Sequence, residues 1–98
     1  MAENELPTEE ELREALDKVT VADVLLQALA ATTSPGFRRV SVEARDLPQA
    51  RLAIEALRAL EPLLRESGAD EAAIRDLEQA RSNLQLAYAN AVSEGESS

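Results

Sequence analysis

The chain has 98 residues and a formal net charge of −9, with 19 acidic and 10 basic residues. It contains neither cysteine nor histidine, which excludes disulfides, thiolate chemistry and the commonest neutral-pH base and metal ligand. An acidic surface repels phosphate groups, so the charge disfavours nucleic acid as a partner.

The composition predicts an all-α fold. Hydrophobic residues make up 45% of the chain, alanine and leucine dominate them, and the only aromatic residues are Phe37 and Tyr88. Alanine and leucine favour helices, whereas strands need more β-branched and aromatic residues. The length suits one domain. We predict a small bundle of three principal helices, near residues 20–31, 46–66 and 71–92, with a short extra N-terminal helical segment.

The N-terminal part of the chain is strongly acidic. Residues 1–7 are polar and are predicted to be disordered. Thr8 and Glu11 form a T-x-x-E capping pattern, which predicts a helical turn within residues 8–18. Three carboxylates on one face of this segment could bind a hard cation, but a solvated acidic face is the favoured interpretation; these residues are Glu10, Glu14 and Asp17. We therefore predict no metal site and no cofactor.

The next segment is apolar nearly all round. Thr20 and Asp23 form a capping pattern that starts a helix, predicted to run to Ala31. A helix that is apolar on most sides needs burial on more than one side, and two neighbouring helices do not supply enough. We predict that this helix forms a homodimer interface and that the acidic first segment does not. The predicted interface residues are Val21, Val24, Leu25, Leu26 and Leu29.

Residues 32–45 are predicted to be an irregular connection. Ser34-Pro35-Gly36 is typical of a turn, because proline fixes φ and glycine permits positive φ. We expect Phe37 to pack onto the core. Beside it lie Arg38, Arg39 and Arg45, which could contact phosphates while Phe37 stacks on a base. Pairing of these arginines with the acidic first segment is the favoured interpretation.

A long amphipathic helix is predicted between Asp46 and Gly68. Asp46 is a good N-cap, Gln49 lies where it completes a capping box, and Gly68 suits the helix end. The apolar stripe recurs at spacings of three and four residues; it consists of Leu47, Ala50, Ile54, Leu57, Leu60 and Leu64. The opposite face is predicted to carry a ladder of weak ion pairs, made by Arg51, Glu55, Arg58, Glu61 and Arg65. Pro62 predicts a kink or break near residues 58–61.

The last predicted helix starts at Asp70 and ends at about Val92. Its stripe is rich in alanine, which allows close approach to a neighbouring helix; it consists of Ile74, Leu77, Ala80, Leu84, Ala87, Tyr88 and Ala91. The tail over residues 93–98 is predicted to be disordered, so the single helical domain spans residues 8–92.

These helices carry a family resemblance. The pattern Asp46-Leu47-x-x-Ala50-Arg51-x-x-Ile54-Glu55-x-Leu57-x-x-Leu60, followed by Leu77, Leu84 and Tyr88, resembles an uncharacterised bacterial family of short helical proteins, a domain of unknown function. The resemblance covers about residues 20–92. It departs from the family over residues 62–70, where the family tends to have a Lys/Thr and Gly-Asn-Leu turn. It implies an all-helical fold and no known activity.

The functional prediction is a non-catalytic protein–protein interaction module. The chain has no nucleophile–base pair, no glycine-rich phosphate loop and no metal-ligand cluster, so we predict no enzyme activity and no small-molecule substrate. No membrane-spanning stretch or signal peptide is visible, and a cytoplasmic protein is expected. A homodimer is the first interpretation. The alternatives are an accessory subunit that binds a helical partner and a weak nucleic-acid-binding loop around Phe37, Arg38 and Arg39.

Overall fold

The structure, a computed structural model, describes residues 6–97 and is helical throughout its regular parts. We number the helices α1 (Glu9–Lys18), α2 (Val21–Val40), α3 (Leu47–Glu66) and α4 (Glu71–Ser97). Within the described residues there is no strand, so the all-α prediction is confirmed. α2, α3 and α4 pack against one another in pairs, and α1 packs against none of them.

Helix starts follow the sequence signals closely. The Thr8 side chain accepts from the Glu11 N–H at 3.1 Å. Thr20 accepts from the Asp23 N–H at 3.0 Å while Asp23 accepts from the Thr20 N–H at 3.5 Å, a complete capping box. Each such bond satisfies a backbone donor that the first helical turn leaves free.

The end of α3 also matches its signal. Gly68 has φ of 78°, which favours glycine because it has no Cβ to clash in the left-handed region. The Ala69 N–H donates to the Leu64 carbonyl at 3.3 Å and the Gly68 N–H to the Arg65 carbonyl at 3.4 Å. This pair of bonds is a Schellman motif, which satisfies the free carbonyls of the last turn.

The predicted connection over residues 32–45 is wrong in its first two-thirds, because α2 continues through Pro35 and Gly36 to Val40. Pro35 is exposed, so water can bond the carbonyl that the proline leaves without a donor. Gly36 is buried, and a Cβ placed there would lie 2.9 Å from Ala53 Cβ and 2.9 Å from Leu84 Cδ2. The glycine therefore lets α2 approach α3 and α4 closely, rather than turning the chain.

Three further expectations are corrected. α3 does not break at Pro62 but continues to Glu66; this proline is also exposed. Phe37 is 37% exposed and does not belong to the core. α4 ends at Ser97, five residues beyond the predicted end. The expectation for residues 1–5 lies outside the described part of the chain.

The core has two parts along the bundle. One is centred on Ala50, Ile54 and Leu84, and the other on Leu57, Leu64 and Ile74. The predicted stripes of α3 and α4 supply most of these residues, and Leu57 and Leu84 are 0% exposed as predicted. α2 contributes Leu29 and Val40 as buried apolar side chains, so it closes the core from one side only.

α1 extends away from this core. It contains no buried residue, and its apolar side chains Leu12 and Leu16 are 49% and 70% exposed. The radius of gyration is 18.2 Å, against about 13 Å for a compact domain of 100 residues. The molecule is thus a three-helix core with a projecting N-terminal helix.

Candidate functional site

The predicted interface helix is only partly available to a partner. Leu29 is 3% exposed and packs in the core with Leu57 and Leu64. Leu25 and Leu26 are half-buried against the same cluster. These three side chains are used inside the molecule, so they have little surface left for a second protein.

Val21 and Val24 are the two predicted residues that remain open. Their exposed fractions are 76% and 53%. They lie at the N-terminal end of α2, where the capping box at Thr20 fixes the start of the helix and hence the direction of both side chains. Burying a valine from water is favourable by about 1.5 kcal/mol or more, so this pair can contribute to association.

The projecting helix α1 presents a second apolar stripe beside an acidic surface. Leu12 and Leu16 are exposed at a helical spacing of four, and the exposed Val19 follows the last residue of the helix in an extended conformation. The first turn carries Glu9, Glu10 and Glu11, which favour the helix N-terminus electrostatically. Among the described residues, no group of three or more carboxylate, imidazole or thiol side chains is placed to hold a metal ion.

The three arginines near Phe37 do not form the predicted loop cluster. Arg38 and Arg39 lie in the last turn of α2, where positive charge interacts favourably with the helix dipole. Arg45 donates to the Val40 carbonyl and to Glu94 Oε2, both at 3.0 Å. Its partner is therefore α4 and not the acidic first segment, which contacts none of the other helices.

A buried ion pair between α3 and α4 was missed by the sequence reasoning. Arg81 Nε donates to both Glu61 oxygens at 3.0 and 2.9 Å, and Arg81 Nη1 donates to Gln85 Oε1 at 2.9 Å. Glu61 is 6% exposed. A signal was present, since Glu61 lies four residues after Leu57 and three before Leu64, which places it on the buried stripe.

The groove around this pair is charged but internally matched. Its lining includes Arg58, Glu61, Arg65, Glu78 and Arg81. Arg65 pairs with Glu78 and, at 3.2 Å, with Glu71. Because the two most inward arginines already bond carboxylates, the groove has no concentrated charge of one sign for a charged ligand. We interpret it as the polar seam that fixes α4 on α3.

Comparison with protein-family models, with curated proteins and with solved structures gives no match to this chain. The resemblance to the uncharacterised bacterial family therefore stays a prediction. Within residues 6–97 no helix is both long and apolar enough to cross a membrane. The exposed apolar side chains are consequently the feature of the molecule from which a function can be argued.

Proposed function

We propose that this protein is a non-catalytic helical interaction module that self-associates through the exposed side of α2. The observation that supports the proposal is the exposure of Val21 and Val24 at 76% and 53% on a helix whose three leucines pack against the core. Contiguous apolar surface on a small protein is typical of an interface, and twofold pairing is the commonest way to bury it.

Charge supports a self-contact at this place. Residues 24–37 contain no charged side chain, although the chain as a whole carries a net charge of −9. Two copies repel each other over most of their surfaces, and least where neither copy is charged. The acidic helix α1 is unsuited to the contact, because its carboxylates would face those of the other copy across a twofold axis.

The test is the solution mass of the wild type and of Val24→Glu. We expect the wild type to form a dimer by light scattering at high concentration. Val24→Glu should give a monomer with an unchanged helical circular dichroism spectrum, because Val24 is exposed within one copy. Asn90→Glu adds the same charge at an exposed position of α4 and should remain dimeric.

A wild type that stays monomeric at the highest accessible concentration would refute self-association. The same surface would then serve a different helical protein, with the chain as an accessory subunit. Leu25 and Leu26 are less suitable targets, because both pack against the core and a glutamate there would also destabilise the fold.

The non-catalytic part of the proposal rests on the chemistry of the side chains. The chain lacks histidine and cysteine, and its most buried polar pair, Glu61 and Arg81, is mutually neutralised. A turnover that is abolished by replacing one polar residue, without loss of helical structure, would contradict it.

A further inference from the structure

α3 carries exposed bulky residues of its own. Leu52 and Leu63 are 61% and 53% exposed, and the intervening residues of the same stripe are Ala56 and Ala59, at spacings of four, three and four. This spacing repeats every seven residues, which is the pattern of helices that pack side by side. It lies off the stripe that α3 contributes to the core.

α2 carries a stripe with the same repeat. Val21 and Val24 are followed, at spacings of four, three and four, by Ala28, Ala31 and Pro35, all of them exposed. The α2 stripe is therefore apolar from Val21 to Pro35 and bulky only at its N-terminal end, and Arg38 and Arg39 follow it in the last turn of the helix. Small residues in its middle allow another helix to approach closely.

The two stripes lie on the same side of the molecule. A groove of about 440 Å³ between α2 and α3 is lined by Thr32, Pro35 and Arg39 on one helix and by Gln49, Leu52 and Ala56 on the other. Leu25 and Leu60 pack against one core cluster, and Gly36, later in α2, lies against Ala53, earlier in α3, so the two helices run antiparallel and the stripes stay side by side. We call the two stripes together the α2–α3 face.

Neither of the other two sides of the bundle offers a comparable surface. The α3–α4 side is the charged seam formed around Glu61 and Arg81. The α2–α4 side has a smaller groove of about 250 Å³, lined mainly by alanine and leucine residues, with Asp76 as the charged residue in its lining. The α2–α3 face is distinguished by exposed bulky side chains on both of its helices, namely Val21, Val24, Leu52 and Leu63.

We propose that two copies of the chain pack α2–α3 face against α2–α3 face about a twofold axis, so that α2 and α3 of both copies form a four-helix bundle. This inference rests on the self-association proposed above and names the surface that performs it. α3 contributes as much of the contact as α2, and the α2–α4 side stays free.

The breadth and charge of the face favour a second copy over a single foreign helix. One helix would fill the central groove and leave the outer edges of both stripes, including Val24 and Leu63, in water. A second helix pair covers both stripes at once. Neither stripe contains a charged residue, and the groove between them is lined by one, the basic Arg39, so two acidic chains can meet there without placing carboxylates in contact.

The area of the α2–α3 face determines how strongly two copies should associate. Helices of 20 residues are about 30 Å long, and a pair is about 20 Å wide, which gives on the order of 600 Å² per copy. Two copies would bury about 1,200 Å², at the lower limit of stable interfaces. The dimer should therefore dissociate on dilution, which makes its contact surface measurable.

The absence of cysteine from the chain permits a direct test by thiol protection. Ala31→Cys places a thiol on the α2–α3 face, and Ala59→Cys places one on the α3 part of it. Ala30→Cys is the matched control: it is the neighbouring exposed alanine, but it lines the α2–α4 groove. Each variant is labelled with a maleimide at high and low protein concentration, and the mass of every sample is measured.

We expect labelling at positions 31 and 59 to slow at least tenfold at high concentration, and labelling at position 30 to stay unchanged. A dimer that protects position 30, while 31 and 59 remain reactive, would overturn this inference and leave self-association intact. A monomeric mass for the wild type and for all three variants would overturn both. Leu52→Glu gives an independent readout: a folded monomer supports the α3 contact, and an unchanged dimer contradicts it.

Discussion

Replacing Gly36 with alanine sets two effects of known size against each other. Alanine is favoured over glycine inside a helix by about 1 kcal/mol. The added Cβ would lie 2.9 Å from Ala53 Cβ and 2.9 Å from Leu84 Cδ2, whereas carbon atoms in contact prefer about 3.5–4.0 Å. α2 must therefore move outward, or both neighbours must shift, by roughly 0.6 Å or more.

The steric cost should exceed the gain in helix propensity. Leu84 is 0% exposed, so its methyl group has no open space to enter, and Ala53 Cβ is fixed to the backbone of α3. Overpacking of a filled core costs about 1–3 kcal/mol. We expect Gly36→Ala to lower the free energy of unfolding by up to about 2 kcal/mol after the helix-propensity gain is subtracted.

The assay is urea unfolding followed by circular dichroism, under conditions in which the mass shows one oligomeric state. Gly95→Ala is the control within a helix, since no atom beyond its chain neighbours and its own helix backbone lies within 4 Å of the added Cβ; it should be neutral or stabilising by up to about 1 kcal/mol. Gly68→Ala should destabilise by about 1–2 kcal/mol for a different reason, its φ of 78°. A Gly36→Ala variant that is stabilised like Gly95→Ala would refute the close approach of α2 to α3 and α4.

Two further predictions concern the core. Leu57→Ala should lower the free energy of unfolding by about 2–5 kcal/mol, because the side chain is 0% exposed. Leu52→Ala is the control: its side chain is 61% exposed, so the free energy of unfolding of a monomer should change by less than about 0.5 kcal/mol. Equal effects of the two substitutions in urea unfolding would contradict the assignment of Leu57 to the buried stripe of α3. Arg81→Leu should lower the free energy of unfolding by about 2 kcal/mol. This loss is smaller than for a fully buried ion pair, because the Arg81 side chain is 23% exposed. The double variant Glu61→Leu/Arg81→Leu should recover most of that loss, because it removes the buried carboxylate that the single variant leaves without a partner. A double variant no more stable than Arg81→Leu would show that the unpaired Glu61 carboxylate does not cause the loss.

The apolar stripes of α3 and α4 were predictable because helical spacing and burial agree there. Residues that recur at three and four positions share one side of a helix, and in α3 that side faces both other core helices. Leu57, Leu64 and Leu84 are consequently among the fully buried side chains. The N-caps at Thr20 and Asp46 likewise act within one turn, so the local sequence is sufficient to place them. The capping box predicted for Gln49 does not form, because the Asp46 N–H donates to the Arg39 carbonyl at 2.8 Å.

The length of α2 could not be predicted from local sequence patterns, because the contacts that keep its C-terminal part helical involve residues distant in sequence. Ser34-Pro35-Gly36 has the local chemistry of a turn. It remains helical because Pro35 points to solvent and Gly36 fits against Ala53 and Leu84, which come from two other helices. A local pattern contains no information about those partners.

The charged residues of α3 show the same limit. A ladder of pairs along the helix was predicted, and only Arg58 and Glu55 approach each other in that way, at 3.9 Å. Glu61 and Arg65 instead bond residues of α4.

For the predicted interface, helical spacing located an apolar helix correctly. It could not distinguish Leu29, which is buried in the core, from Val24, which remains exposed.

The separation of α1 from the other helices makes the chain two thermodynamic units. Isolated helices shorter than about 12–15 residues are marginal in water, and α1 has 10 residues without a buried side chain. Its amide hydrogens should therefore exchange with solvent far faster than those of α3, which open only with the whole core. Heating should melt α1 gradually before the cooperative transition, so an unfolding curve recorded by circular dichroism has a sloping native baseline that belongs to α1 alone.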